Sequence, residues 1–158
     1  MITYLPEIYP DELVYSWFCR YAIHSGYTSH KRVLQELYCK KSDTPIKEFI
    51  GNLNPEAKEC IDRMYPLRDF VLKHTMYPQY ARFIPLEQKK DALYKLCYQN
   101  CDAHHLFAVL PRCEKERYLK YCPVCAREDR QRYGETYWHR KHQIRNIGIC
   151  PKHKCKLQ

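Results

Sequence analysis

Apolar positions in the first forty residues repeat with the period of a helix. Leu13, Val14, Trp17, Phe18, Tyr21 and Ala22 fall at i, i+1, i+4, i+5, i+8 and i+9, a single stripe along one helix. Residues 1–10 read as an extended arm punctuated by Pro6 and Pro10, and Asp11 is placed to cap the helix that follows. Gly26 lies just beyond the stripe, where a left-handed residue is wanted. Thr28 or Ser29 then opens a second helix carrying Val33, Leu34, Leu37 and Tyr38. Two short amphipathic helices joined by a tight Gly-containing turn have the geometry of a helix-turn-helix over residues 11–40. An ordinary helical hairpin fits the same pattern and is commoner.

Further elements follow the prolines. Asn54-Pro55-Glu56 opens a third helix with Pro at its first position. Pro66 opens a fourth, running through Phe70, Val71 and His74 and closed by Pro78. Pro85-Leu86-Glu87 begins a longer one with Leu86, Leu93, Leu96 and Cys97 inward, and an apolar stretch from Leu106 to Leu110 precedes Pro111. The pattern predicts a mainly α fold of about six helices. Its core contains Trp17, Phe18, Leu34, Leu37, Phe70, Val71, Leu93 and Leu96, and short strands are confined to residues 117–121 and 147–150.

The 158 residues suffice for one domain, and 45% hydrophobic with 14% aromatic residues supply a core. A mean hydropathy of −0.69 and the absence of any apolar run of about 18 residues exclude a membrane-embedded chain. There are only 4 glycines, and neither a G-x-x-x-x-G-K nor a G-x-G-x-x-G occurs, which removes the common phosphate-cradling loops.

Charge divides the chain. Residues 1–111 hold 14 basic and 13 acidic side chains, whereas residues 112–158 hold 13 and 5, so almost all of the net +9 lies in the last third. This predicts a helical domain at 1–111 and a basic module at 112–158. Such asymmetry is the electrostatic footprint of a phosphate-binding surface, although a solubilising face has the same composition. The basic residues do not line one face of an otherwise apolar helix, so a membrane surface fits less well.

Ten cysteines would allow five disulfides in a secreted protein. The opening Met1-Ile2-Thr3-Tyr4-Leu5-Pro6-Glu7 has neither the basic nor the apolar region of a signal peptide. The expectation is therefore a cytoplasmic chain, in which clustered cysteine means metal more often than disulfide. Cys19, Cys39, Cys60 and Cys97 are scattered through helical patterns and are expected as small buried apolar residues. Cys101 and Cys113 lack a partner at metal spacing and are expected to be structural too.

The remaining cysteines carry the chemistry. Cys122-Pro123-Val124-Cys125 is followed, after 24 residues, by Cys150-Pro151-Lys152-His153. Three thiolates and an imidazole in two C-P-x-[C/H] turns are the ligand set of a closed tetrahedral site, with Zn2+ the default metal and no open position for chemistry. Cys155, His139 and His142 compete as ligands; His153 is favoured because it repeats the first turn. Enzyme readings fare worse. Only 33 residues follow Cys125, too few for a glutaredoxin-like fold. No His is followed at +2 by Glu, as a zinc deaminase requires, and there is no H-E-x-x-H. Glu128-Asp129 reads more readily as solvated helix charges than as a catalytic pair. Arg127, Arg130, Arg140, Lys141 and Arg145 are the candidate DNA phosphate contacts, held by the metal on one rigid element.

Several stretches together resemble the TniQ/TnsD family of transposon target-selection proteins. They are Tyr118 to Cys125, Glu128-Asp129, Tyr133-Gly134-Glu135-Thr136-Tyr137-Trp138-His139-Arg140, His142-Gln143 and Cys150 to His153. Tyr9 to Ser16 and His74 to Tyr80 resemble the family in the same order. The resemblance implies a DNA-associated, non-catalytic protein of a bacterial transposon, working in the cytoplasm at the nucleoid. Its partners would be DNA and a TnsC-like AAA+ ATPase transposition regulator, or a CRISPR effector complex in RNA-guided systems. It also implies zinc on Cys122, Cys125, Cys150 and His153 and a helix-turn-helix near the N-terminus. Family members continue well past the C-P-x-H, so part of the sequence-specific DNA reading is expected outside this chain. The alternatives are a zinc-ribbon nucleic-acid or transcription module and, further off, a zinc-dependent nucleic-acid-modifying enzyme.

Overall fold

The computed structural model describes residues 2, 4–39, 49–101, 103–107 and 118–158. The first helix, α1 (Val14–His24), buries the apolar stripe read from the sequence, with Val14, Trp17, Phe18 and Tyr21 inside. Trp17 is fully buried, 5.2 Å from the Phe70 ring, and its indole N–H donates to the Pro6 carbonyl at 2.7 Å. That bond satisfies the one polar atom of the side chain and straps the N-terminal arm across α1. Asp11 does not cap the helix. It sits two residues earlier than expected with φ 58°, Leu13 occupies the cap position, and the Asp11 carboxylate is engaged elsewhere.

Gly26, at φ 68°, turns the chain into α2 (His30–Leu37). Ser29 precedes α2 without a side-chain cap. The Tyr21 and Tyr27 hydroxyls instead donate to the Glu36 carboxylate at 2.8 and 2.6 Å, tying the two helices together. Asn54 caps α3 (Pro55–Met64), accepting from Ala57 N–H. The next helix, α4 (Leu67–His74), packs on α3 and on α6 (Leu86–Tyr98). Pro78 does not end α4 but lies in the first turn of a separate short helix, α5 (Tyr77–Ala81), as proline's missing N–H permits. A last short turn, α7 (Ala103–Leu106), leads to Phe107, which stacks on Phe49.

Of the expected core, Trp17, Phe18, Leu34, Leu37, Phe70, Val71 and Leu96 are buried and Leu93 is half-buried. Leu86 was expected inward and is 64% exposed, because it starts α6 at the solvent edge. Cys97 is buried and Cys19 and Cys60 are half-buried, but Cys39 is exposed at the end of the second helix. Lys58 is buried and donates to the carbonyls of Leu96 and Gln99 at 3.0 and 2.6 Å, capping the C-terminus of α6 with a charge of the right sign. Gly51 lets the Cys101 backbone approach; a Cβ there would lie 2.4 Å from the Cys101 carbonyl oxygen.

The basic segment carries α8 (Pro123–Tyr133), closed by Gly134 at φ 80°, and a 3₁₀ turn, Arg140–Gln143. The expected strands shrink to single pairings among the described residues: a bridge between Ile149 and Lys156 and mutual N–H to carbonyl bonds of 2.9 Å between Tyr121 and Gln158. The composition boundary near residues 111–117 and Cys113 lie outside the described residues, as does the end of the Leu106–Leu110 stretch. The basic segment joins the helical part by backbone. Leu13 N–H donates to Trp138 at 2.9 Å, and Arg140 N–H to Asp11 at 2.7 Å. Arg20 is buried behind this seam between Glu12 (2.9 Å) and Glu135 (2.8 Å).

Two outcomes test this packing. Trp17→Ala should cost about 3–5 kcal/mol, whereas Leu86→Ala should stay within about 0.5 kcal/mol, both read from urea unfolding. His74 donates Nδ1–H to the Glu12 carbonyl at 2.9 Å, and burial lowers its pKa, so the native state keeps the ring neutral. The unfolded chain takes up that proton below about pH 6.5, so the stability His74 contributes is present above that pH and is lost as the pH falls. The stability gap between wild type and His74→Gln should narrow from pH 7.5 to pH 5.5.

Candidate metal centre

Each C-P-x-[C/H] turn aims two side chains at one point. Cys122 is the N-cap of α8 with Pro123 in the first turn, and its sulfur accepts the Cys125 N–H at 3.4 Å. The second turn repeats the device: the Cys150 sulfur accepts the His153 N–H at 3.4 Å. Beyond it, Lys154 adopts φ 57° and the Cys150 N–H returns to the Cys155 carbonyl at 2.8 Å. The ligand atoms of Cys122, Cys125, Cys150 and His153 all lie within 4.8 Å of one another. The His153 Nδ1 is 3.3, 3.5 and 3.8 Å from the sulfurs of Cys125, Cys122 and Cys150, and Cys125 and Cys150 are 3.8 Å apart. Around a tetrahedral zinc, thiolates at about 2.3 Å would stand about 3.8 Å apart, and a thiolate and an imidazole about 3.6 Å. The four donors therefore fit one metal ion.

The surroundings complete the arrangement. The His153 Nε2 lies 3.1 Å from the Glu128 carboxylate, which fixes the ring so that Nδ1 faces the sulfurs, as carboxylates commonly do behind metal-binding imidazoles. Lys152 pairs with the other Glu128 oxygen. Burial and the neighbouring sulfurs raise the Cys125 thiol. Burial also opposes ionisation of Cys122, but the Cys125 N–H and the thiols of Cys155 and Cys150 outweigh it and hold Cys122 below the ordinary thiol range. A cation would relieve this crowding of sulfurs, and loading it would release protons.

The competing ligands fall into place around this group. His139 is removed from it, bonded to the Asp129 carboxylate at 2.8 Å and stacked on Tyr137. Cys155 touches the Cys122 sulfur at 3.3 Å, and the His142 Nε2 lies 3.8 and 3.6 Å from the sulfurs of Cys125 and Cys150. Neither belongs to the four-donor set. Sequence spacing did not single out Glu128 as the partner of His153; a carboxylate one helical turn beyond Cys125 was the available signal.

The five basic candidates separate. Arg127 and Arg130 are exposed one turn apart on α8, and Lys141 is exposed on the 3₁₀ turn. Arg140 turns inward, onto the Asp11 carboxylate at 3.3 Å and the Leu72 carbonyl at 2.6 Å. The Arg145 guanidinium stands 5.7 Å over the Tyr80 ring. Among the described residues, no helix is long and apolar enough to cross a membrane.

A profile of the TniQ family matches residues 3–157. The transposon Tn7 transposition protein TnsD of Escherichia coli is 29% identical over 151 residues, covering 94% of this chain and 30% of the relative. The chain thus spans less than a third of the length of that curated relative. With the profile running almost end to end over residues that include both cysteine turns, the chain belongs to the TniQ family.

Proposed function

We propose that the chain is a target-selection protein of a Tn7-like bacterial transposon, a non-catalytic DNA-bound adaptor that recruits the AAA+ transposition regulator to the target site. The observation that carries this reading is the family match along the whole chain, together with its kinship to a Tn7 transposition protein. In this reading the four-donor site holds one Zn2+ with a structural role. Three sulfurs and one imidazole saturate a tetrahedral ion and leave no position for water or substrate. The metal holds a short basic module whose apolar cluster, Cys122, Cys125, Cys150 and Leu157, is too small to fold by itself.

DNA is engaged through phosphates by the exposed Arg127, Arg130 and Lys141, while Arg140 and Arg145 fasten the module to the helical part. α1, the Gly26 turn and α2 form a helix-turn-helix whose exposed Lys31, Arg32 and Gln35 face outward for DNA or partner contact. The protein works in the cytoplasm at the nucleoid.

Elemental analysis of protein purified without chelator should find one zinc per chain. Cys125→Ser should lose the metal and unfold the basic module, whereas Cys60→Ser should cost about 1 kcal/mol or less. For DNA, anisotropy titrations at two salt concentrations should show affinity falling steeply with salt as counterions are released. Replacing Arg127 and Arg130 by Ala should reduce the salt slope by about 1 each. Binding that is absent at low salt, or unchanged in the double variant, would move this face from DNA to a protein partner.

A further inference from the structure

The 3₁₀ turn Arg140–Gln143 contributes none of the four donors, yet it bonds to both sides of them. At its start, Arg140 N–H donates to the Asp11 carbonyl at 2.7 Å, and Lys141 N–H donates to the Asp11 carboxylate at 3.1 Å. At its end, the Gln143 side chain exchanges two bonds with the Lys120 backbone, at 2.9 and 2.8 Å, and so holds the segment leading into Cys122. Between them stands His142, 3% exposed, with Nε2 on the Cys150 and Cys125 sulfurs and Nδ1 buried without a hydrogen-bond partner among the described residues. Asp11 itself is held at φ 58°, a conformation costly for a residue with a Cβ, and its contacts to this turn secure it there.

We infer that His142 is a positioning residue which donates Nε2–H to the metal-bound thiolates of Cys125 and Cys150, and that through the 3₁₀ turn it links metal occupancy to the docking of the basic segment on Asp11 and Leu13 at the head of α1. The inference rests on the reading that the cluster holds a metal. The two states differ in a definite interaction. A metal-bound thiolate is an anionic acceptor and strengthens an N–H bond to it, and the His142 Nε2 already stands 3.6 and 3.8 Å from the two sulfurs. Loading the metal therefore tightens His142, and with it the turn that carries Arg140 and Lys141 onto Asp11. A stack of rings runs beside this path: His142 to His139 at 4.9 Å, His139 to Tyr137 at 4.4 Å, and Tyr137 to Tyr9 at 5.2 Å. The coupling is reciprocal: whatever loosens Asp11 must weaken the metal by the same factor.

Hydrogen exchange on the full chain reads the seam at Leu13, and Co2+ absorption reads the ligand count. In the wild type, removing the metal should speed exchange of the Leu13 amide, bonded to Trp138, by about tenfold or more. In α3, exchange should stay unchanged. His142→Leu loaded with Co2+ should keep the tetrahedral spectrum of three sulfurs and one nitrogen while its Leu13 amide exchanges at the metal-free rate. His142→Gln, which restores an N–H donor, should regain part of the protection. Asp11→Ala should bind its metal about 5-fold more weakly or more, read by equilibrium competition with a chromophoric chelator. A His142→Leu chain that loses the tetrahedral spectrum makes His142 a ligand and overturns the inference. Leu13 exchange indifferent to metal in the wild type overturns it too. If the metal-free chain unfolds throughout, the Asp11→Ala metal affinity decides, and an affinity equal to wild type overturns it. A wild type that takes up no Co2+ refutes the metal reading itself, a distinct failure.

Discussion

Arg20 is a charge that the fold buries where its N-terminal arm, first helix and basic segment meet. A guanidinium removed from water must find carboxylates and carbonyls for its fork of donors, and here they come from different parts of the chain. Glu12 just before α1, Glu135 beyond α8 and the Glu7 carbonyl of the arm converge on it at 2.8 to 3.0 Å, and Tyr9 covers its face at 3.7 Å. None of these groups can leave without stranding the others. Glu135 is drawn further in by His24 and by the Tyr9 hydroxyl. Its carboxyl, which burial alone would raise, is held below the usual carboxylate range by His24, Arg20 and Tyr9. A buried ion pair adds little net stability over a well-packed apolar contact, but it specifies one arrangement, because any other register leaves charge unpaired.

That specification gives the small basic segment a fixed place. Its own apolar cluster consists of three cysteines and Leu157. It is therefore defined from two sides: by donors converging within the segment, and by backbone bonds from Leu13 and Asp11 at its rim. The 3₁₀ turn belongs to both sides, and its length of four residues brings Asp11 and the sulfurs within reach of one rigid piece of chain.

The sequence announces what is local and periodic. The stripe of α1, the Gly26 turn, the Asn54-Pro55 start of α3 and the paired C-P-x-[C/H] turns each depend on residues within a few positions of one another, and each stands in the structure. Contacts across the chain leave no such trace. Arg20 and Glu135 are 115 residues apart, and Arg140 and Asp11 are 129 apart. Nothing in their local context distinguishes them from solvated charges. Asp11 looked like a helix cap because an acidic residue after a proline at the head of an apolar stripe usually is one. Here the chain took Leu13 as the cap position and spent the carboxylate on the 3₁₀ turn. Leu86 failed for a related reason: at the first residue of a helix the periodicity has only one side to be judged from.

The same long-range contacts decide what a charge excess can mean. Counted along the chain, the last third carries most of the basic excess and every Arg or Lys in it looks available to a phosphate. In the fold the excess is sorted. Arg140 holds Asp11 and the C-terminal end of α4, and Arg145 covers Tyr80, so each joins the basic segment to the helical part. Arg127 and Arg130 stand one turn apart on α8, on the side away from Cys125 and Asp129, which the helix buries. The helix that carries the first cysteine turn on one face thus presents its arginines on another, and anything that fixes the cysteines fixes the arginines.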